Sequence, residues 1–377
     1  MSDIKYIVHY DKDDNEGRSF ALSAKNKVDY IIKAITELGY DVEIISASVI
    51  SSKGNIKGSH TVLSDNVCLT KLPALKHGNL LQKIMAALWS RIALTGYLLT
   101  HIKKNDKIIA YHSLSLMRIL RLVKRIKNFQ LILECEEIYS DVIAGSKTKR
   151  RDKEIKFCQC ADKYIFPTEL LCNAIGNMNK PYTVCHGTYN VEMDTGEQFN
   201  DNKIHVLYAG TLDPRKGGAV AAAVAAEFLS DNYHMHILGF GSAEEVKDIK
   251  SLVCCVNQKS QAMVSYEGIL SGEKYIRFLQ KCQIGLSTQN PDADFNATSF
   301  PSKILSYMSN GLRVVSVNIP AISESKVGDY MYYYEKQTPQ EIAKAIETVD
   351  FCDGYDGRKK IKKLDLEFKE NLRELLK

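Results

Sequence analysis

A glycine-rich turn with two adjacent cations is the segment of this chain best suited to chemistry. Residues 206–209 form an apolar run typical of a buried strand, Gly210 ends it, and the alanine-rich residues 219–228 favour a helix. Arg215 and Lys216 lie in the turn between the two. At the carboxyl edge of a parallel sheet, these cations and the amides at the helix start would face one point. The pattern predicts a site for a phosphate or diphosphate.

A second anion site is predicted in residues 298–311. The segment opens with capping residues, places Pro301 near the first helical position and ends on a glycine, which together predict a helix. Ser302 and Lys303 would then lie at the amino end of this helix. The apolar residues 312–317 predict a strand directly after it. The helix would therefore lie between two strands of an α/β layer.

Three motifs, taken in this order, resemble the retaining GT-B glycosyltransferases of family 4. They are the glycine loop 210–217, the run Gly239-Phe240-Gly241, and a Pro-Ser-Lys helix with its strand over 301–315. The likeness covers nearly the whole chain, and its specificity lies mostly in the carboxyl half. It implies an α/β protein of two Rossmann-like doubly wound domains facing a cleft (GT-B), with a nucleoside diphosphate sugar as donor and no cofactor. Carried over residue by residue, it assigns donor binding to Gly210, Arg215, Lys216, Thr298, Ser302, Lys303 and Ser306.

The chain departs from this family in several polar residues. Many members carry two glutamates, one beneath the donor sugar and one on the nucleotide ribose, and the aligned residues here are Thr298 and Ser306. A serine hydroxyl still hydrogen-bonds a ribose, but more weakly than a carboxylate does. The arginine that often follows the first loop glycine is Thr211 here, and Arg215 is expected to replace it. Two alternatives therefore stay open: a catalytically silent nucleotide-sugar-binding subunit and a GT-B-type sugar-nucleotide epimerase.

His112 is the candidate catalytic residue of the amino half. Residues 107–111 predict a strand, and His112 follows at its carboxyl edge. In the resembled family a histidine at this place faces the donor sugar, which implies that His112 hydrogen-bonds a sugar hydroxyl and supports the transition state. With Lys216 it forms the predicted catalytic set. A histidine at a strand end is more often structural, and only the resemblance favours catalysis here.

His234 and His236 could supply two ligands to a metal ion, because alternate residues of a strand share one face. No third ligand is evident in the sequence, so two satisfied strand histidines and no metal site are expected. The ten cysteines are scattered without a C-x-x-C pair or a matched His/Cys cluster. This spacing indicates reduced thiols in a cytosolic compartment.

The amino half predicts a first doubly wound domain. Its first strand, first helix and next strands are expected at 4–10, 24–38, 41–46, 107–111 and 130–134. The polar loop 11–19 follows the first strand, at the carboxyl edge of the sheet. The resembled family places a glycine-containing loop there, which implies that Gly17 and Arg18 face the acceptor. The alternative is a solvated loop.

The 377-residue length and the composition, 45% hydrophobic and 25% charged, are those of a globular protein of two domains. We expect residues 1–190 to form an N-terminal Rossmann-like acceptor-side domain and residues 191–356 a C-terminal nucleotide-sugar-binding domain. By resemblance, residues 357–377 form a helix that packs back on the N-terminal domain. The first residues lack the apolar core of a signal peptide, so a cytoplasmic protein is expected.

Basic residues concentrate in the window 71–130, which holds twelve lysines and arginines against one acid, Asp106. Within it, residues 80–102 are apolar but interrupted by Lys83 and Arg91. They are too polar for a transmembrane span, and they are typical of an interfacial amphipathic helix or of a buried helix with solvated lysines. An anionic membrane surface that carries the acceptor would explain the cations. Nucleic acid is not an expected partner, because no reader motif is present.

Together these features predict a hexosyltransferase that moves a sugar from a nucleoside diphosphate sugar to a glycan or lipid-linked acceptor, with retention, in cell-surface polysaccharide synthesis. It would be cytoplasmic or peripheral on the inner face of the cell membrane. Because Arg215 and Lys216 supply positive charge, the reaction is expected to be metal-independent. A dinucleotide oxidoreductase is disfavoured, because Gly239-Phe240-Gly241 has no third glycine at the required spacing.

Overall fold

The chain divides into two compact units. The computed structural model describes residues 3–12, 17–18, 22–48, 50, 54–76, 78–142, 148–176, 179–214, 218–291 and 293–377. The first unit comprises Met1–Cys185 and Glu367–Lys377, and the second comprises His186–Leu366. Each unit is built on its own sheet.

The first unit contains an eight-stranded sheet in the order β3-β4-β2-β1-β5-β6-β7-β8. Its strands are β1 Ile4–Val8, β2 Val42–Ser46, β3 Ser59–Ser64, β4 Val67–Lys71, β5 Lys107–Tyr111, β6 Gln130–Glu134, β7 Lys163–Phe166 and β8 Tyr182–Val184. Its helices are α1 Leu22–Glu37, α2 Leu80–His101, α3 Met117–Lys127, α4 Tyr139–Val142, α5 Thr148–Cys158 and α6 Glu169–Ile175. Every described strand pair is parallel except β3 with β4. The elements predicted at 24–38, 41–46, 107–111 and 130–134 are confirmed within two residues, and the first strand ends at Val8 rather than residue 10.

The second unit contains a six-stranded parallel sheet in the order β11-β10-β9-β12-β13-β14. Its strands are β9 Ile204–Thr211, β10 Tyr233–Phe240, β11 Met263–Gly268, β12 Ile284–Ser287, β13 Arg313–Val317 and β14 Met331–Tyr334. Its helices are α7 Ala219–Ala225, α8 Ala243–Asn257, α9 Gly272–Lys281, α10 Lys303–Ser309, α11 Pro320–Ser323, α12 Pro339–Glu347 and the first half of α13 Gly357–Leu376. This strand order reverses direction between β9 and β12, the place where doubly wound sheets bind ligands.

The two helices predicted beside the anion sites are shorter than expected. The helix over 219–228 ends as α-helix at Ala225 and continues as one 3-10 turn, Ala226–Phe228. The helix over 298–311 begins only at Lys303. Pro301 therefore precedes the helix by two residues, and the chain before it forms the separate 3-10 turn Asp294–Ala297. Because α10 has only seven residues, the side chains that it positions matter more than its dipole.

The end of α13 belongs to the first unit, where it packs on α1. Phe368 is buried and its ring stacks on Tyr30, with 5.7 Å between the ring centroids. The Lys369 ammonium lies 2.6 Å from a carboxylate oxygen of Glu37. Buried apolar area supplies most of the free energy of such a contact, and the half-exposed ion pair adds little.

Among the described residues, no helix is both long enough and apolar enough to cross a membrane.

Phe368→Ala should lower the free energy of unfolding of the first unit by about 3–5 kcal/mol, because it empties a buried aromatic site. Leu366→Ala is the matched control: it alters the same helix at a side chain that is 69% exposed, so its effect should stay within about 0.5 kcal/mol. Urea unfolding followed by the fluorescence of Trp89, the one tryptophan, reports on the first unit. Equal midpoints for the two variants would contradict the packing described.

Candidate functional site

Tyr208 closes the predicted phosphate loop at its base. Its hydroxyl donates to the carbonyl oxygen of Thr211 over 2.9 Å and accepts a hydrogen bond from the backbone N–H of Gly218. These two partners lie at the end of β9 and directly before α7, so one side chain ties both ends of the loop together. Arg215 and Lys216, which the sequence places in the middle of this loop, lie outside the described residues.

Glycines are required where neighbouring backbones approach this loop. Gly210 and Gly239 are register partners on β9 and β10, and a Cβ on Gly239 would overlap the carbonyl oxygen of Gly210. A Cβ on Gly218 would overlap the side chain of Thr288. The first glycine of the Gly239-Phe240-Gly241 run therefore serves close packing of strand ends.

Lys303 places its ammonium group beside Tyr208 and Gly210, at the end of β9. Its ammonium lies 4.5 Å from the centroid of the Tyr208 ring, and 3.2 Å from the position that a Cβ on Gly210 would occupy. No carboxylate of the described residues forms an ion pair with Lys303. Burial accordingly lowers the pKa of Lys303 to about 8. The structure thus brings together two predicted donor residues, Gly210 and Lys303, around a charge that lacks an anion.

Tyr307 sets the position of α10 and therefore of Lys303. Its hydroxyl accepts from the backbone N–H of Ala209 over 2.8 Å and donates to the carbonyl oxygen of Leu286 over 3.3 Å. These partners are on β9 and β12, the two strands at the switch point. The Tyr307 ring occupies the space that any side chain at position 285 would need, which explains Gly285.

The remaining predicted donor residues that the structure describes lie on α10 or in the chain before it. Ser302 is exposed and makes no capping hydrogen bond, although it directly precedes α10. Ser306 lies on α10, where it is hydrogen-bonded to the hydroxyl of Tyr275. Thr298 is half-buried in the turn before α10. Their donor roles stay predictions.

Three buried polar residues at this edge were missed by the sequence analysis. Ser287, Thr288 and Gln289 come at and directly after the end of β12, and all three are at most 5% exposed. The Oγ of Ser287, the Oγ1 of Thr288 and the Nε2 of Gln289 have no hydrogen-bond partner among the described residues. Buried polar atoms normally have partners, so these atoms can receive a polar ligand. A polar triplet directly after a short apolar strand was the available signal.

His112 is enclosed in the core of the first unit. It is 1% exposed and its ring packs against Tyr139 and Phe157. Its Nε2 lies 3.4 Å from a carboxylate oxygen of Glu154 and 3.8 Å from the sulfur of Cys158. Burial lowers the pKa of His112, but Cys158 and Glu154 outweigh burial and raise it. These contacts hold the ring away from solvent, and the predicted catalytic role of His112 stays a prediction.

The fold also assembles a His/Cys cluster that the sequence spacing did not indicate. Ligand atoms of His112, Cys135 and Cys158 lie within 4.8 Å of one another, all of them buried. Hydrogen bonds from Cys135 and then His112 lower the pKa of Cys158 to about 6. The cluster forms because β5, β6 and α5 meet there, which residue spacing alone does not reveal.

The predicted acceptor-side cation, Arg18, is 2% exposed. Its guanidinium donates to the carbonyl oxygens of Ser48 and Leu72, over 3.4 and 3.1 Å. It therefore fixes the loop after β1 to the chain after β2 and β4. Gly17, just before it, has a φ of 61°, which favours glycine. The acceptor role of both residues stays a prediction.

A buried charge network was also missed, at the carboxyl edge of the first sheet. Lys27 lies 2.5 Å from a carboxylate oxygen of Glu136 and donates to the carbonyl oxygen of Cys185. Glu134 accepts from the hydroxyl of Tyr6, and burial followed by the charge of Glu136 raises the pKa of Glu134 to about 8. These residues offer both a proton donor and a cation at that edge.

Comparisons with known proteins agree with this geometry. Residues 203–349 match the family model described as Glycosyl transferases group 1. No curated protein matches the sequence. The matched segment contains β9 to β14 and therefore the described residues at the carboxyl edge of the second sheet, which we call the donor edge: Tyr208, Gly210, Ser287, Thr288, Gln289 and Lys303.

Solved structures of trehalose-phosphate synthases share the fold. One from E. coli, described as bound with UDP-2-fluoro glucose, has a TM-score of 0.72 at 11% identity, and the alignment covers 99% of each chain. A UDP-forming enzyme from Burkholderia xenovorans has a TM-score of 0.68 at 10% identity, covering 100% of this chain and 97% of that one. A trehalose-6-phosphate synthase studied with bisubstrate glycomimetics has a TM-score of 0.67 at 13% identity, covering 100% and 99%. The predicted GT-B fold is confirmed.

The affinity for a nucleoside diphosphate should weaken as the pH rises through 8. Lys303 is charged below its pKa of about 8 and loses its proton above it, so the dissociation constant should rise about tenfold between pH 7 and pH 9. The phosphates of the ligand are already ionised in this range.

Lys303→Arg is the control for this titration, because its guanidinium stays charged at both pH values and its dissociation constant should change little. Lys303→Met should lose donor binding while raising the melting temperature of the ligand-free protein, because it removes an unpaired, half-buried charge. Calorimetric titration and thermal unfolding measure the two effects. A pH-independent affinity in the unaltered protein would show that Lys303 does not meet the ligand.

Proposed function

We propose that this GT-B glycosyltransferase, with its group 1 domain, transfers a sugar from a nucleoside diphosphate sugar to an acceptor with retention at the anomeric carbon. The observation that carries the proposal is Lys303, a half-buried cation without a carboxylate partner among the described residues, at the switch point of the second sheet. A diphosphate would restore the missing negative charge there. A trehalose-6-phosphate synthase of similar fold, described in terms of enzymatic glycosyltransfer with retention, supports this stereochemistry.

The described residues suggest how the leaving group is stabilised. As the bond between the sugar and the diphosphate breaks, negative charge grows on the diphosphate, and a cation fixed beforehand stabilises that charge without reorganisation. Lys303 is fixed by the Tyr208 ring and by the anchoring of α10 through Tyr307. Lys216 would add a second cation from the loop. No cofactor or metal ion is part of this donor-site proposal.

Ser287, Thr288 and Gln289 are suited to the uncharged part of the donor. They lie at the end of β12, the neighbour of β9, and their partnerless polar atoms can hydrogen-bond hydroxyl groups. A site built to pair with sugar or ribose hydroxyls rejects ligands that lack them, because its buried polar atoms are then left unpaired.

The proposed acceptor is a glycan or lipid-linked saccharide at an anionic membrane surface. The support is an exposed apolar stripe on α2, formed by residues at helical spacing that are each 39–67% exposed: Leu81, Ile84, Met85, Leu88, Trp89 and Ile92. A soluble protein rarely leaves so continuous an apolar stripe in water. Cations on the neighbouring helix favour an anionic membrane as the surface that contacts this stripe.

Helix α3, which packs beside α2, carries the charge that such a surface requires. Arg118, Arg121 and Arg125 are exposed at helical spacing, and the exposed Leu122 and Ile126 directly follow two of them. None of the three arginines forms an ion pair with the described residues. Apolar side chains beside unpaired arginines suit the interface of an anionic bilayer. Lys107, another cation of the basic window 71–130, instead donates a hydrogen bond to the carbonyl oxygen of Leu376.

Incubating the full-length protein with a panel of nucleoside diphosphate sugars, in the presence of EDTA, tests the transfer. We expect release of one nucleoside diphosphate and a product of retained anomeric configuration. Lys216→Ala should lower turnover roughly a hundredfold, if its contact contributes ~3 kcal/mol in the transition state. Lys274→Ala, which alters an exposed lysine on α9, is the matched control and should leave turnover unchanged.

Other outcomes of this assay identify the alternatives. Binding of a nucleoside diphosphate sugar without turnover would indicate a silent subunit, and a free 2-epimer would indicate an epimerase. Faster transfer to glucose 6-phosphate than to a lipid-linked saccharide would overturn the membrane acceptor, since a related structure is described in complex with glucose-6-phosphate.

Replacing Arg118, Arg121 and Arg125 together with glutamine should weaken binding to vesicles containing phosphatidylserine roughly a hundredfold, at about 1 kcal/mol per cation. Binding should also fall with rising salt. The matched control replaces three exposed lysines of the second unit, Lys247, Lys259 and Lys274. Co-sedimentation with vesicles measures the effect. Equal binding by both triple variants would show that these arginines are merely solvated.

A further inference from the structure

Three histidines meet at the amino end of the second sheet. His205 is the second residue of β9 and His234 the second residue of β10, and the two are register partners. His236 lies two residues further along β10, on the same face as His234. Each of the three offers one ring nitrogen, and these nitrogens lie within 4.8 Å of one another. His205 is thus the third candidate ligand, which the sequence did not reveal. The expectation of no metal site rested on the lack of such a ligand, so it no longer has that support.

Carboxylates fix the protons on two of these rings. The Nε2 of His205 lies 2.8 Å from an oxygen of Asp201, and the Nδ1 of His236 lies 2.8 Å from an oxygen of Glu267. An ionised carboxylate only accepts hydrogen bonds, so both of these nitrogens carry hydrogen. A neutral imidazole has one N–H, which leaves the Nδ1 of His205 and the Nε2 of His236 with lone pairs.

Those two bare nitrogens face each other, 2.9 Å apart. Two lone pairs repel at this distance unless a positive species lies between them, either a proton or a metal ion. The arrangement of carboxylate, histidine and open nitrogen is the one that surrounds metal ions in proteins, where the ligand histidine donates its other N–H to a carboxylate.

His234 completes the set in the same way. The hydroxyl of Ser265 donates to Glu267 over 2.5 Å, so the contact of 2.9 Å between that hydroxyl and the Nε2 of His234 must be donated by the ring. The Nδ1 of His234 then keeps its lone pair. Each of the three imidazoles therefore keeps one nitrogen whose lone pair is available to a metal ion.

Aromatic rings cover one side of the cluster. Phe199 stacks on His205 and His236, with 4.0 and 5.1 Å between the ring centroids, and Phe278 meets His236 edge-on. The other side is open enough for entry, because Asp201 is 43% exposed and Glu267 is 26% exposed. One coordination position thus remains for water.

We propose that His205, His234 and His236 bind one divalent transition-metal ion of the zinc class at the amino end of the second sheet. Three neutral imidazoles and one open position suit Zn²⁺, whose bonds of about 2.0–2.1 Å in tetrahedral geometry require nitrogens about 3.3 Å apart. The pair at 2.9 Å would need to open by a few tenths of an ångström. The ion would join β9 to β10, and Asp201, in the chain before β9, would orient one of its ligands.

This site is distinct from the donor edge. Gly210 lies five residues after His205 on β9, which places the two about 16 Å apart along the strand. Zinc should therefore stabilise the second unit without contacting a bound diphosphate.

The test titrates the metal-free full-length protein with Zn²⁺ against a chromophoric chelator. One equivalent should bind, the melting temperature should rise with Zn²⁺, and X-ray absorption should show nitrogen ligands at about 2.0–2.1 Å. His234→Ala, which alters the least buried of the three, should weaken zinc affinity by about a hundredfold or more. Asp201→Ala, which removes only the partner of His205, should weaken it about ten- to a hundredfold.

His60→Ala, at an exposed histidine of the first unit, is the matched control and should bind zinc unchanged. Absence of stoichiometric zinc would leave a shared proton between His205 and His236 and overturn the proposal. Sulfur ligands would also overturn it, because they would place the ion on cysteines, either in the cluster of His112, Cys135 and Cys158 or on the exposed thiols of Cys254, Cys255 and Cys352. If His234→Ala does not fold, unchanged zinc affinity in Asp201→Ala decides against the site.

Discussion

The hydroxyl of Tyr307 is the contact on which the donor edge depends. It accepts from the backbone of β9 and donates to the backbone of β12, so it joins the two strands at the point where the order of the sheet reverses. Any side chain at position 285 would overlap the Tyr307 ring, so this position requires glycine. Since Tyr307 and Lys303 are one helical turn apart on α10, anchoring the first fixes the ammonium of the second beside Gly210.

That placement has a cost for the folded protein. A lysine held among Tyr208, Gly210 and the end of the sheet loses hydration, which is why burial lowers its pKa to about 8. In a purely structural position an apolar side chain would be more stable. The retained charge makes sense when an anion is bound, because binding then recovers what folding loses. Stability given up at one residue is a common feature of binding sites.

The sequence predicted most of what depends on local patterns. Apolar runs located each strand that was predicted to within two residues, and the glycine spacing located the loop after β9, because these signals reflect backbone constraints that each segment carries alone. Residues that meet through the tertiary fold were not predicted. Tyr208 ties the loop ends through its hydroxyl, and nothing in its neighbours indicates that. His112 was placed correctly after β5, but its enclosure by α5 was beyond sequence spacing.

The two ends of the second sheet show why its polar clusters lie where they do. In the middle of β9 and β10, Val206, Leu207 and Ile237 are completely buried, because helices on both faces of a parallel sheet leave no room for solvated groups. Polar chemistry is therefore confined to strand ends, where loops supply partners. At the carboxyl end the described groups are a cation and hydroxyls without partners, and at the amino end they are imidazoles and carboxylates. The parallel register of β9 and β10 aligns His205 with His234 at one end and Gly210 with Gly239 at the other. One strand pairing therefore brings together the histidines at the amino end and the glycines at the carboxyl end.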